Sequence, residues 1–132
     1  MRNASTIVNA CGTMVRMAAS ATRADLVACC SPLTGGVLKT VAAERLASMF
    51  KALADPARVK LVSLIAASVD GEACICDLTE PLGLSQPTVS HHMKILVDVG
   101  LVSRDQRGKW AYYRVDDDVL ETLAGALSPQ RR

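Results

Sequence analysis

A chain of 132 residues with a formal charge of +2 has room for one domain with short tails. Half of its residues are hydrophobic, yet only Phe50, Trp110, Tyr112 and Tyr113 are aromatic; an apolar content built mostly from Ala, Val, Leu and Met favours helices over sheets. No uncharged apolar run approaches the ~18 residues of a membrane-spanning helix, and Arg2 is followed by no compact apolar core before Asn9, Gly12 and Arg16, so no signal peptide is read and no membrane partner is expected. A cytoplasmic protein is expected, its five cysteines reduced thiols rather than disulfides.

Residues 1–36 are rich in Ala, Ser and Thr and end in the breaker cluster Ser31-Pro32-Leu33-Thr34-Gly35-Gly36. They are expected to form a flexible N-terminal arm carrying Cys29 and Cys30, followed by a folded domain over 37–128 and a disordered tail over 129–132. Leu46, Met49, Phe50 and Leu53 recur at helical spacing and predict a first helix over about 40–53. Asp55-Pro56 restarts the chain as a helix cap and first turn. Val59, Leu61, Val62, Leu64 and Ile65 make the second helix apolar over a wide face, and Asp70-Gly71 ends it.

A short extended piece near Ala73 leads to a third helix of about 76–82, closed by Gly83. Ser85 caps a fourth, about 86–98, with Pro87 in its first turn and Gly100 past its end. Leu101–Arg104 and Trp110–Val115 read as strands joined by a polar tip, Asp105-Gln106-Arg107-Gly108. Asp116, Asp117 and Asp118 open a last helix with an apolar stripe of Leu120, Leu123, Ala124 and Leu127. Four helices, a hairpin and a helix make a mainly α (α+β) chain of winged helix-turn-helix type. A homodimer is expected, since dimers match palindromic duplex sites.

In the fourth helix Val89, Met93 and Leu96 share an inward face. Gln86, Ser90 and Lys94 share another, flanked by Pro87 and His91. A short, polar, positive face suits a DNA major groove: Gln, Ser and His can bond base edges, while Lys94 suits a phosphate. From Ser85 to Arg114 cations exceed anions by three, more than in the whole chain. The candidate contacts to double-stranded DNA are Ser85, Gln86, Pro87, Thr88, Ser90, His91, His92 and Lys94, with Arg107 and Lys109 flanking Gly108 at the hairpin tip as phosphate or minor-groove probes. The alternative, an ordinary amphipathic surface helix and a solubilising turn, fits less well beside the short preceding helix. Tyr113 is expected to pack inward, and Trp110 is left open between packing and base stacking.

Cys74 and Cys76, two apart, would diverge inside a regular helix. They converge if Cys74 lies in the extended approach and Cys76 in the first helical turn, where the helix N-terminus is expected to lower a thiol pKa. Thiolates prefer soft ions. Two sulfurs do not complete a site, since trigonal arsenite or antimonite takes three and tetrahedral cadmium or zinc takes four. Cys29 and Cys30 are the remaining metal-ligand candidates, within one subunit or across a dimer. Cys11 is far out on the arm and is not counted; His91 and His92 are read as DNA contacts or packing rather than ligands. The competing reading of each Cys is a small buried hydrophobe.

Taken together, Phe50-Lys51-Ala52-Leu53-Ala54-Asp55-Pro56-Ala57-Arg58, Ala73-Cys74-Ile75-Cys76-Asp77-Leu78, Leu84 through Lys94, Gly100-Leu101-Val102 and Tyr112-Tyr113 resemble the ArsR/SmtB family of metalloregulatory repressors over about residues 42–127. The resemblance implies a homodimeric winged helix that leaves its operator when metal binds. It carries Cys74 and Cys76 over as ligands, since Cys74-Ile75-Cys76-Asp77 is similar to the thiol motif of arsenite-responsive and cadmium/lead-responsive members. One departure is Thr79, where the plasmid-type arsenite sensors keep a third Cys. The cadmium/lead sensors, which recruit thiols from an N-terminal arm, and actinobacterial arsenite sensors with a Cys pair in the arm resemble this chain in offering Cys29/Cys30 instead. The final-helix zinc site of other members is not matched.

The expected inducer is As(III) or Sb(III), alternatively Cd(II) or Pb(II), with no permanently bound cofactor. A thiol redox or persulfide sensor on the same scaffold is a further alternative. A thiol enzyme of the arsenate-reductase kind is disfavoured, because Met17, Gly35, Gly36, Glu80 and Leu82 stand where a Cys-x5-Arg loop needs its arginine.

Overall fold

The computed structural model describes residues 33–129. Cys11, Cys29 and Cys30, and the expected arm up to residue 32, lie outside the described residues. So do residues 130–132 of the expected tail.

The described elements are α1 (Thr40–Leu53), α2 (Pro56–Ala67), a 3-10 turn (Val69–Gly71), β1 (Glu72–Cys74), α3 (Ile75–Leu82), α4 (Gln86–Asp98), β2 (Val102–Arg107), β3 (Trp110–Val115) and α5 (Asp117–Leu127). α2 begins where the sequence predicts: the Asp55 carboxylate accepts the Ala57 N–H at 2.8 Å, filling one of the donors that a helix N-terminus leaves open, and Pro56 supplies a fixed φ where no N–H is needed.

Two compact units divide these residues. In the first, Ser48–Asp117, the core is formed by Leu61 and Ile65 of α2, Leu78 of α3, Val89, Met93 and Leu96 of α4, and Leu101 and Val102 at the entry to β2, all essentially without solvent exposure. Each such side chain contributes about 1.5–3 kcal/mol of apolar burial. The second unit takes the chain up to Ala47 and from Asp118 onward. Within it Leu46, Val119, Leu123 and Ala126 are buried, and the Thr34 hydroxyl donates to the Ser128 carbonyl at 3.3 Å.

The short extended piece at Ala73 is a true strand. β1 pairs antiparallel with β3, and the sheet order is β1-β3-β2. The expected four-residue tip is corrected. β2 runs on through Asp105 and Gln106 to Arg107, which pairs with Trp110, leaving Gly108 and Lys109 as a two-residue connection. These residues are polar because the distal part of β2 is exposed on both faces, and not because it is a loop. Gly108, at φ 64°, takes the first turn position, where a tight hairpin needs a left-handed residue.

Candidate DNA interface and thiol site

α3 stops at Gly83, whose φ of 68° lets its N–H reach the Thr79 and Glu80 carbonyls at 3.0 and 3.1 Å. Two residues later Ser85 caps α4. Its Oγ accepts the Thr88 N–H at 3.4 Å and lies 2.9 Å from the Thr88 hydroxyl. This pair of caps fixes the turn between the two helices. Val89, Met93 and Leu96 then seat α4 in the core, as the spacing predicts. The opposite face presents Ser85, Gln86, Pro87, Thr88, Ser90, His91 and Lys94, all exposed. Ser85 and Thr88 are engaged with each other in the cap. The Lys94 ammonium rests 3.1 Å from Asp98, an open pair that water and salt weaken easily.

His92 differs from His91. It is half-buried, and its Nδ1 lies 3.0 Å from the Arg58 guanidinium on α2. The structure thus separates two neighbours that the sequence leaves together as DNA contacts or packing.

At the hairpin, Lys109 is exposed and, among the described residues, without an ion pair. Arg107 is held. Its guanidinium donates to Glu72 at 3.2 and 2.5 Å and to Asp105 at 2.8 Å, and lies over the Tyr112 ring. Those bonds, to Glu72 first and then Asp105, push the Arg107 pKa above its ordinary value. In turn the hydrogen bonds from Arg107, aided by the charges of Arg107 and Arg114 and opposed by partial desolvation, hold the Glu72 carboxyl below its usual range. Tyr113 is buried, as expected; Trp110 is about half exposed, which rules out the core for it. Glu72 and Arg58 carry roles in this arrangement that the sequence reading did not assign.

The thiols meet as predicted. Cys74 ends β1 and is the extended N-cap residue of α3; Cys76 sits in its first turn, and the Cys76 thiol donates to the Cys74 sulfur at 2.7 Å. Cys74 is buried and Cys76 exposed. The expected lowering of thiol pKa is corrected for Cys76, which is pushed up. The bond to Cys74 is the largest cause, followed by desolvation and by the charges of Cys74 and Asp77; the backbone hydrogen bond at the helix start works the other way and loses.

No cluster of three or more potential ligand side chains occurs among the described residues. Two soft sulfurs fit a thiophilic ion in kind, and the remaining expected ligands, Cys29 and Cys30, lie outside the described residues.

Register ties this site to the hairpin. Cys74 is the cross-strand partner of Tyr112, and Glu72 of Arg114. One face of the sheet therefore carries Glu72, Cys74, Tyr112 and Arg107 together.

A short capped helix, a tight turn, a seated helix with a polar outer face and a basic hairpin define a winged helix-turn-helix DNA-binding protein. A family model, bacterial regulatory proteins of the arsR family, matches residues 55–104. An arsenical resistance operon repressor of Bacillus subtilis is 38% identical over 74 residues, which cover 56% of this chain and 69% of that protein. A regulator of Methanocaldococcus jannaschii described as an uncharacterized HTH-type transcriptional regulator is 41% identical over 81 residues, 61% of this chain and 89% of that one. A cadmium resistance regulatory protein CadC homolog of Staphylococcus aureus is 38% identical over 77 residues, 58% of this chain and 62% of its own length.

Among solved structures, a homodimeric winged helix-turn-helix domain from Mycobacterium bovis superposes with a TM-score of 0.56 at 29% identity, covering 67% of this chain and 82% of that chain. An antimony-specific transcriptional repressor does so with a TM-score of 0.57 at 27% identity, covering 67% and 79%. The chain belongs to the ArsR family of DNA-binding transcriptional repressors and is not an enzyme. No helix among the described residues is long and apolar enough to cross a membrane.

Proposed function

We propose that this chain is a cytoplasmic, homodimeric repressor that senses arsenite or antimonite through Cys74 and Cys76 and leaves its operator DNA when they bind it. The observation that carries the reading is the convergence of the two sulfurs to 2.7 Å at the junction of β1 and α3. That junction is one short helix and one tight turn from α4, and its strand is hydrogen-bonded to the β3 arm of the wing. Bound there, the metalloid supplies a soft Lewis acid with affinity for thiolates. Cys29 or Cys30 of the N-terminal arm supplies the third thiolate in this proposal. Cys74, buried at the end of β1, anchors one ligand to the sheet, and Cys76 opens α3; a ligand held by both therefore acts on the strand–helix joint. Gln86, Pro87, Ser90 and His91 contact base edges in the major groove, with Lys94 and Lys109 on phosphates.

Cadmium or lead is the second reading, supported by the count of thiols in the sequence, since Cys29 and Cys30 added to this pair make the four sulfurs of a tetrahedral site, and by the similarity to a cadmium-resistance regulator.

The test is operator release. A duplex selected by the reduced protein from a random-sequence pool is followed by fluorescence anisotropy while arsenite, then cadmium, is added. Release by arsenite at three sulfurs per site supports the proposal. Release by cadmium alone moves the assignment to a four-sulfur site, and release only by oxidant replaces metal sensing with a redox switch.

A further inference from the structure

We propose that Arg58 is a positioning residue for DNA recognition, setting the rotation of α4 about its own axis through His92 and thereby which side chains of the outer face meet the bases.

The guanidinium joins three parts of the Ser48–Asp117 unit. Its Nε donates to the Ala52 carbonyl at 2.5 Å, one of the carbonyls left open at the end of α1. Its Nη1 lies 4.0 Å from Asp55, the cap of its own helix, and 3.0 Å from Nδ1 of His92. Arg58 is only 13% exposed, so it works behind the DNA-facing surface rather than on it. A guanidinium has no acceptor, so His92 Nδ1 must accept; the neutral ring then carries its proton on Nε2.

Val89, Met93 and Leu96 bury α4, but apolar burial is non-directional and tolerates small rotations. The other side-chain hydrogen bonds of α4, Ser85 with Thr88 and Lys94 with Asp98, stay within the helix and its cap. Among the described residues, Arg58–His92 is the one side-chain hydrogen bond that leaves α4 for another element. A rotation of about 20° at a side-chain radius of about 5 Å moves a polar tip by roughly 2 Å, enough to lose a base contact. A directional tie on the flank of α4, itself anchored at two further points, removes that freedom. This does not depend on which inducer the thiols take.

The test uses the full-length reduced protein, the selected operator duplex and a scrambled duplex, with Arg58→Met, His92→Leu, His92→Gln and the Arg58→Met/His92→Leu double variant. Each single apolar variant is expected to weaken operator binding about tenfold, the scale of one hydrogen bond to a charged group. Binding to the scrambled duplex and the slope of log K against log salt stay unchanged. The double variant is no weaker than either single one. His92→Gln, which keeps an acceptor, stays close to wild type, and 15N chemical shifts of His92 report the Nε2–H tautomer in wild type and its loss in Arg58→Met.

A salt slope flattened by about one in Arg58→Met would make Arg58 a phosphate contact and overturn the proposal. Additive losses, or unchanged operator affinity, would also overturn it. If Arg58→Met does not fold, the His92 pair decides: Gln near wild type with Leu tenfold weaker supports the tie, and equal behaviour of the two overturns it.

Discussion

The guanidinium carbon of Arg107 lies 4.4 Å from the ring centroid of Tyr112, the residue that pairs across the sheet with the thiol residue Cys74. Arg107 is thus part of the fabric of the wing, stacked on one side and bonded to Glu72 and Asp105 on the other. Lys109, at the tip, has no such ties among the described residues.

The two cations are therefore expected to behave differently toward DNA. Replacing Lys109 with Ala should flatten the salt dependence of operator binding by about one released counterion per subunit. Arg107→Ala should change that slope by clearly less, and should instead lower the thermal midpoint, and Glu72→Ala should lower it likewise. Equal loss of slope in the two variants would show that Arg107 leaves Glu72 to meet a phosphate.

Asp55 gives a prediction in acid. Partial desolvation acts to raise its pKa, but N–H bonds from Ala57 and Arg58 and the positive charge of Arg58 outweigh it, so the folded value lies below the ordinary carboxylate value. A depressed carboxyl contributes stability above its unfolded pKa and loses it as pH falls through the folded one. Wild type should exceed Asp55→Ala in urea midpoint near neutral pH, with the gap shrinking as pH falls below the ordinary carboxylate range. Asn, which caps without titrating, should retain its advantage over Ala across the same range. A wild-type advantage that does not change from pH 6 to pH 3 would refute this origin.

Local chemistry was legible in the chain; pairings across distance were not. Asp55-Pro56, Gly83 and Ser85 each act within a few residues, and the structure uses each as predicted. The convergence of Cys74 and Cys76 was legible for the same reason, since it depends on one strand-to-helix change. β1 has three residues, too few for a period, and its partner strand lies about 40 positions on. The end of β2 was hidden because Asp105 and Gln106 are exposed strand residues with the composition of a turn. The roles of Arg58 and Glu72 depend on partners 34 and 35 residues away, His92 and Arg107, which no local pattern announces.

Gly83 is expected to be the most sensitive position of the helix-turn-helix turn. A Cβ there would touch nothing within 4 Å, so the cost of Gly83→Ala is that of the left-handed backbone at φ 68°. That is about 1–2 kcal/mol, or on the order of 5–10 °C in Tm for a domain near 100 residues. Asn tolerates this conformation better and should lose less. The urea midpoint should fall with an unchanged m-value. A midpoint equal to wild type for Gly83→Ala would mean that the turn relaxes to another conformation.

The two thiols, close in space, should separate in experiment because one is buried and the other exposed. Iodoacetamide should label Cys76 ahead of Cys74 in the folded protein, read by peptide mapping, and the order should disappear in urea. Cys74→Ser places a hydroxyl at a buried position beside Tyr112 and should cost about 1–3 kcal/mol, while Cys76→Ser should leave stability near wild type. Either substitution should keep operator binding and remove its release by arsenite, because each takes away one of two converging sulfurs. Retained arsenite release in Cys76→Ser would exclude Cys76 as a ligand and leave the buried Cys74 to act with the arm thiols alone.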